Sequence, residues 1–176
     1  MQIEQWLRWA RDQLVQSDSA RLDSELLLAH VLKRDRTWLY TWSDRELTEQ
    51  QQQQAQQLLQ QRQQGAPVAH LLGEREFWSL PLQVNASTLI PRPDTETLVE
   101  WALQLALPDK ARVLDLGTGT GAIALALASE RPQWQISAVD AQADAVALAA
   151  SNAKRLDLNV TVLQSNWFAA LSGRFD

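Results

Sequence analysis

The chain has no cysteine, which excludes a disulfide framework, a thiolate metal site and a cysteine nucleophile. That absence fits a reducing compartment, and a cytoplasmic protein is the expectation. Histidine is scarce. His30 and His70 stand apart from any acid–hydroxyl or metal-ligand spacing, so both read as structural and no metal site is assigned. Positive charge is short as well: 16 Lys and Arg face 21 Asp and Glu, for a formal net charge of −5. Phosphate recognition needs a clustered Lys/Arg excess, so direct nucleic-acid binding is not expected. Long apolar runs are also missing. The most apolar stretch, residues 122–128, is far too short to span a bilayer. Glu4, Arg8, Arg11 and Asp12 interrupt what would have to be the apolar core of a secretory signal. A soluble monomer without membrane contact is the reading.

What is present is a change of period along the chain. Ile3, Trp6, Leu7, Ala10 and Leu14 share one stripe of a helix over residues 2–16. Ser19 stands as the cap of a second helix, with Leu22, Leu26, Ala29 and Val31 inward. A short third helix is expected around residues 38–42. Thr48 and Gln51 form a capping box for a helix that runs to residue 64, where Gly65 and Pro67 stop it. The glutamine-rich run inside it keeps a helical period in Ala55, Leu58, Leu59 and Arg62, so it reads as a solvated helix face. After Pro67 the period drops to two. Residues 76–80 and 82–85, broken at Pro81, predict a hairpin. Ile90-Pro91-Arg92-Pro93 must be extended, and Asp94 caps a helix that turns Leu98, Val99, Ala102 and Leu105 inward.

From Ala111 the pattern alternates: strand 113–116, helix 122–129, strand 135–139, helix 143–155, strand 160–163. Such alternation predicts parallel strands joined by right-handed crossovers. The expected fold is α/β, an open doubly wound Rossmann-like sheet behind a small all-α domain. Three strands are few for that sheet and a fourth is expected to start at Phe175-Asp176, so the chain reads as a fragment. The boundaries are 1–73 for the helical domain, 74–90 for a hairpin connector and 91–176 for the sheet domain. Most tryptophans fall on apolar stripes and read as core.

Asp115-Leu116-Gly117-Thr118-Gly119-Thr120-Gly121 occupies a strand-to-helix junction. Glycines at alternate positions allow a tight turn and close approach of a ligand, and the helix N-terminus offers unpaired N–H groups. Asp140 ends the next strand, where a carboxylate can accept two hydrogen bonds from a ribose diol. Residues 117–122 also satisfy the dinucleotide pattern Gly-x-Gly-x-x-Ala, which keeps a NAD-dependent oxidoreductase in view. Asp115 favours S-adenosylmethionine instead: a carboxylate there would repel a pyrophosphate but suits a cationic amino-acid end. Plainer readings stand beside these, a bare βα turn for the glycines and a helix cap for Asp140. Trp167 either closes over an adenine face, with Asn166 at its edge, or packs in the core with Phe168. Arg92 either reaches the catalytic rim or pins the connector. A non-catalytic binding module is the third reading, and no residue stands out as a general base.

Several runs together resemble one family, the peptide chain release factor N5-glutamine methyltransferases. They are Pro67-Val68-Ala69-His70-Leu71-Leu72-Gly73, Glu76-Phe77-Trp78, Leu89-Ile90-Pro91-Arg92-Pro93-Asp94-Thr95-Glu96 and the glycine loop. The resemblance covers essentially the whole chain, and the Ile-Pro-Arg-Pro run is its most specific part. It implies S-adenosyl-L-methionine as cofactor, held by Gly117, Thr118, Gly119, Thr120, Gly121 and Asp140, with Trp167 on the adenine side. It also implies class I release factors as partners, docked by the helical domain, and methylation of the glutamine in their Gly-Gly-Gln loop. Asn166 departs from the family's usual aspartate. The family's acceptor-holding Asn-Pro-Pro-Tyr is not among these residues, so no catalytic residue is assigned and the chain alone is expected to be inactive.

Overall fold

Ile3, Trp6 and Ala10 form the buried stripe of α1 (Ile3–Gln13) in the computed structural model, which describes residues 1–176. Gln2 is its cap, and Leu14, just past its end, is still buried. In α2 (Ala20–Leu32) the stripe is turned from the expected one. Leu27, Leu28 and Ala29 are buried with Asp23, Ser24 and Glu25, whereas Leu22 is exposed. Charged residues are buried only when paired, and these are. Arg62 Nε donates to Asp23 Oδ2 at 2.8 Å, and Arg21, Arg36 and Tyr40 all donate to the Glu25 carboxylate. Ser19 stands at the N-cap as expected, but its side chain makes no cap hydrogen bond; its hydroxyl donates to Asp23 Oδ1 at 2.9 Å instead.

Asp35 caps α3 (Arg36–Thr41) by accepting the Trp38 N–H at 2.7 Å. Both halves of the Thr48–Gln51 box are made at the start of α4 (Glu49–Gln63), which buries Ala55 and Leu59. Where period two was expected to begin, one more helical turn forms, α5 (Val68–Leu72). The Pro67 carbonyl accepts the His70 and Leu71 N–H groups, and Val68, Leu71 and Leu72 join the core of the first compact unit, Met1–Leu72.

The second unit is Gly73–Asp176. Its hairpin, β1 (Glu74–Phe77) and β2 (Leu80–Gln83), turns through Trp78 and Ser79 at φ 52° and 58°. A two-residue hairpin turn needs that left-handed backbone to match strand twist. Pro81 does not break the strand: it sits in the ladder opposite Glu76, as an edge position allows. Phe77 and Leu82 are buried in the second core, so the hairpin is part of that unit. After the extended run, Asp94 lies inside a 3-10 turn, Pro93–Thr95, rather than capping α6 (Glu96–Gln104). Of the four residues expected inward on α6, Val99 is buried, while Leu98 and Leu105 are exposed.

Strands β3 (Arg112–Leu116), β4 (Gln135–Asp140) and β5 (Val160–Gln164) form a parallel sheet in the order β3-β4-β5, linked by α7 (Ala122–Glu130) and α8 (Ala143–Arg155). Both crossovers step the same way, and right-handed connections then place both helices on one face. The strand expected to be buried, β3, is accordingly only half-buried. Its outer edge is not bare: the Asp176 N–H donates to Arg112 O at 2.9 Å, and the Arg112 N–H donates to Asp176 Oδ2 at 2.8 Å. Most tryptophans lie in or against the cores, with Trp9, Trp38 and Trp78 partly buried and packed on them. Trp6 and Trp134 are buried, whereas Trp42, Trp101 and Trp167 are exposed. No helix is long and apolar enough to cross a membrane.

Candidate functional site

The chain leaves β3 through Gly117, Gly119 and Gly121, at φ 75°, 56° and 86°. Gly121 is the position that packing also restricts, since a Cβ there would lie 3.0 Å from Leu125 Cδ1 and 3.3 Å from Ala149 Cβ. Outward the loop is open: a Cβ on Gly117 would meet nothing within 4 Å. Its amide groups turn inward. Gly117 and Thr118 donate to Val139 O at 2.9 and 3.0 Å, Gly121 to Thr118 O at 2.9 Å, and Gly119 to Asp140 Oδ2 at 3.0 Å. A pyrophosphate needs such N–H groups free. This loop has engaged four of its own, while the N–H groups of Thr120 and of Ala122 and Ile123 at the start of α7 have no partner within the protein.

Asp140 is both brace and acceptor. Its Oδ1 takes the Gln142 N–H at 3.0 Å, at the cap of α8, and each oxygen keeps a further lone pair. Asp115 does not reach a ligand-sized space. Burial pushes its carboxyl above the ordinary value; the Thr118 hydroxyl and Ala124 N–H oppose that shift, and the Asp140 charge adds to it. The Thr118 hydroxyl donates to Asp115 Oδ2 at 2.7 Å, so Asp115 fixes the loop rather than a cationic ligand. Behind the loop lies Asn152 of α8, fully buried with its amide completely used. Its Oδ1 accepts the Gln83 N–H at 2.7 Å, and its Nδ2 donates to Gln83 O at 3.0 Å and to Thr120 O at 2.9 Å. One side chain thus joins β2 to the glycine loop.

A cavity of about 390 Å³ opens in front of the loop. Gly117, Thr118, Gly119, Thr120 and Asp140 line one side, and residues 87–92 with Thr95 line the other. Thr88 Oγ1 is buried there without a hydrogen-bond partner. The Ile-Pro-Arg-Pro run therefore divides its labour: Arg92 lines the cavity, whereas Glu96 Oε1 accepts the Trp78 N–H at 2.9 Å and ties down the hairpin turn.

Two family models match. Residues 5–73 fit the PrmC N-terminal domain and residues 94–176 the methyltransferase small domain. The release factor glutamine methyltransferase of Shewanella oneidensis is 59% identical over 172 residues, covering 97% of this chain and 60% of that protein. Its Escherichia coli K12 counterpart is 55% identical over 175 residues, covering 99% of this chain and 63% of its own length. Along almost its whole length the chain is similar to release factor glutamine methyltransferases. It spans about three fifths of the length of these relatives. Among solved structures, a T. thermophilus 16S rRNA N2 G1207 methyltransferase overlays at TM-score 0.44 and 25% identity, over 58% of this chain and 30% of its own. An overlay at that level carries no argument about activity.

Of the residues that the family resemblance singled out, Gly117, Thr118, Gly119, Thr120 and Asp140 meet at the cavity, and Gly121 sits just behind. Trp167 does not join them. It is 70% exposed at φ 51°, on a loop held by Ser165, whose hydroxyl donates to Trp167 O at 2.7 Å. Neither Trp167 nor Phe168 is core. Sequence reasoning missed Thr88 and Asn152. The first left no signal. The second did, because Asn152 is a lone amide on the buried stripe of Ala145, Leu148, Ala149 and Ala153.

Proposed function

We propose that the second unit binds S-adenosylmethionine in the cavity before the glycine loop. We further propose that the protein methylates the side-chain amide nitrogen of the glutamine in the Gly-Gly-Gln loop of class I release factors. The observation that carries this reading is the cavity itself, where an open glycine loop meets one carboxylate, Asp140, and one guanidinium, Arg92. That lining suits a nucleoside with an amino-acid end, and the unpartnered Thr88 hydroxyl is a polar group left for a ligand. The names of the relatives support the substrate.

On this reading Asp140 takes the ribose hydroxyls with its remaining lone pairs. Gly117, Thr118, Gly119 and Thr120 form the wall against which the adenosine lies, and Gly121 sets the turn. Trp167 is left for the adenine side, reached by movement of its exposed loop. When bound, S-adenosylmethionine supplies an activated methyl group. The chain's own residues contribute positioning and exclusion of water, and no general base is needed if the proton leaves after transfer. The helical unit docks the release factor, and the protein works as a cytoplasmic monomer. Residues 1–176 contain no Asn-Pro-Pro-Tyr to align the glutamine amide, so by themselves they bind cofactor without turnover.

Calorimetric titration tests the site. Asp140→Ala is expected to weaken S-adenosylmethionine by about 30- to 1,000-fold, the worth of two hydrogen bonds to a charged group. Unchanged affinity removes Asp140 from the site, and binding of NAD in place of S-adenosylmethionine overturns the reading. Methyl transfer to a release factor by these 176 residues, within tenfold of a full-length relative, overturns the inactivity.

A further inference from the structure

We infer that Arg92 holds the α-carboxylate of S-adenosylmethionine, an assignment that rests on the cofactor reading above. Among the residues lining the cavity, Asp140 is the one anion and Arg92 the one cation. A carboxylate leaving water needs donors to replace its hydration. The loop supplies few, because the Gly117, Thr118, Gly119 and Gly121 N–H groups are engaged within the protein, and none of those it leaves carries a charge. Arg92 is free to do so: it enters none of the chain's ion pairs. Glu96, the acid one helical turn further on, is taken up by the Trp78 N–H and does not neutralise it.

The backbone holds Arg92 in place before any ligand arrives. Pro91 and Pro93 flank it and fix their own φ angles. Arg92 itself is extended at φ −102° and ψ 143°, and its carbonyl accepts the Thr95 N–H at 3.0 Å. The same segment lies against the loop at Thr88, whose Cβ would be 3.8 Å from a Cβ on Gly119. The spacing between the cationic and anionic walls is therefore set by rigid chain. A planar guanidinium binds a carboxylate through two parallel hydrogen bonds, which a lysine cannot reproduce.

The test pairs a protein truncation with a ligand truncation, using the full 176-residue chain and calorimetry. S-adenosylmethionine is compared with its decarboxylated form, which keeps the ribose, sulfonium and amine. Arg92→Ala should weaken S-adenosylmethionine by about 10- to 100-fold, as for a lost hydrogen bond to a charged group. It should leave the decarboxylated ligand within about twofold, and Arg92→Lys should recover part of the loss. Equal weakening of both ligands overturns the assignment of Arg92 while leaving the cofactor site intact. Failure of the unsubstituted chain to bind either ligand overturns the cofactor reading itself. Arg92 is exposed, so an unchanged melting temperature confirms that the variants are folded.

Discussion

Helix α2 of the first unit buries Asp23, Ser24 and Glu25, whereas α7 of the second buries Ala122, Ala124, Leu125, Ala126, Leu127 and Ala128. The rotation of α2 about its axis is set by directional pairs: Arg62 on Asp23, and Arg21, Arg36 and Tyr40 on Glu25. Turning the helix would strand a buried carboxylate, which is costly. An alanine-rich helix has no such constraint, since every face is small and apolar. Its rotation has to be fixed from outside, and two features do this. Gly121 seats the first turn against Leu125 and Ala149, and Asn152 holds the Thr120 carbonyl just before it. One unit is oriented by charge, the other by shape and a single amide.

The sharpest way to break this contrast is Asn152→Leu, which keeps the volume but leaves the Thr120 carbonyl and both Gln83 backbone groups without their partner. We expect a loss of about 3–4 kcal/mol. In hydrogen exchange under denaturant it should fall on the second unit and spare the first. A second unit that unfolds as before would show that the amide does not orient α7. Next in size is Gly121→Ala, expected to cost about 2–3 kcal/mol from left-handed backbone plus overpacking. Gly117→Ala has the same backbone strain with open space around it and should cost about 1–2 kcal/mol. Equal losses in chemical denaturation would mean that shape at Gly121 contributes nothing.

The smallest effect is in pH, and its sign differs between the units. Burial pushes the Glu25 carboxyl up, but hydrogen bonds from Tyr40, Arg36 and Arg21 outweigh it and leave Glu25 below its ordinary value. Its contribution is therefore full above about pH 4.3 and is lost as pH falls through the folded value. Asp115 is shifted upward by burial, so its contribution is full below about pH 3.9 and is lost as pH rises through the folded value. Acidification from neutral pH should thus first stabilise the second unit, as Asp115 takes up its proton, and weaken the first unit only below about pH 4.3. Glu25→Gln should cost about 1 kcal/mol or less at neutral pH, because its arginine partners are largely exposed. It should also flatten the acid limb of the first unit alone. Exchange-derived stabilities that move in the same direction in both units would remove the contrast.

Periodicity carried the element order because each amphipathic element repeats its own spacing, as the Thr48–Gln51 box and the stripe of α1 illustrate. It failed where burial was polar. A pattern that places acids outside cannot find Asp23 and Glu25 inside, and three of their partners, Arg36, Tyr40 and Arg62, are distant in sequence. It failed again at α5, a single turn too short to show a period. At the candidate site the glycines and Asp140 were legible, because a strand-end loop needs those residue types wherever it binds a nucleoside. The bonds among them were not. Whether Asp115 faces a ligand or the Thr118 hydroxyl depends on a rotamer, and that Arg92 and Glu96 serve different neighbours depends on where the hairpin turns back. That Trp167 lies on a surface loop held by Ser165, and not in the core with Phe168, was likewise not legible, since an aromatic residue beside a strand end suits either place.

The engaged amides of the glycine loop bear on competition among metabolites. Adenosine carrying a chain of phosphates owes much of its grip on other proteins to free backbone amides, and here four of the loop's are already committed, leaving those of Thr120, Ala122 and Ile123. Any handicap for such nucleotides then lies in the reduced number of free donors and not in a steric gate. With one guanidinium balancing one carboxylate at the rim, the pocket projects little field beyond the Debye length of about 8 Å at physiological salt. Arrival of a ligand is left to diffusion, and its retention to contacts made only after it has entered.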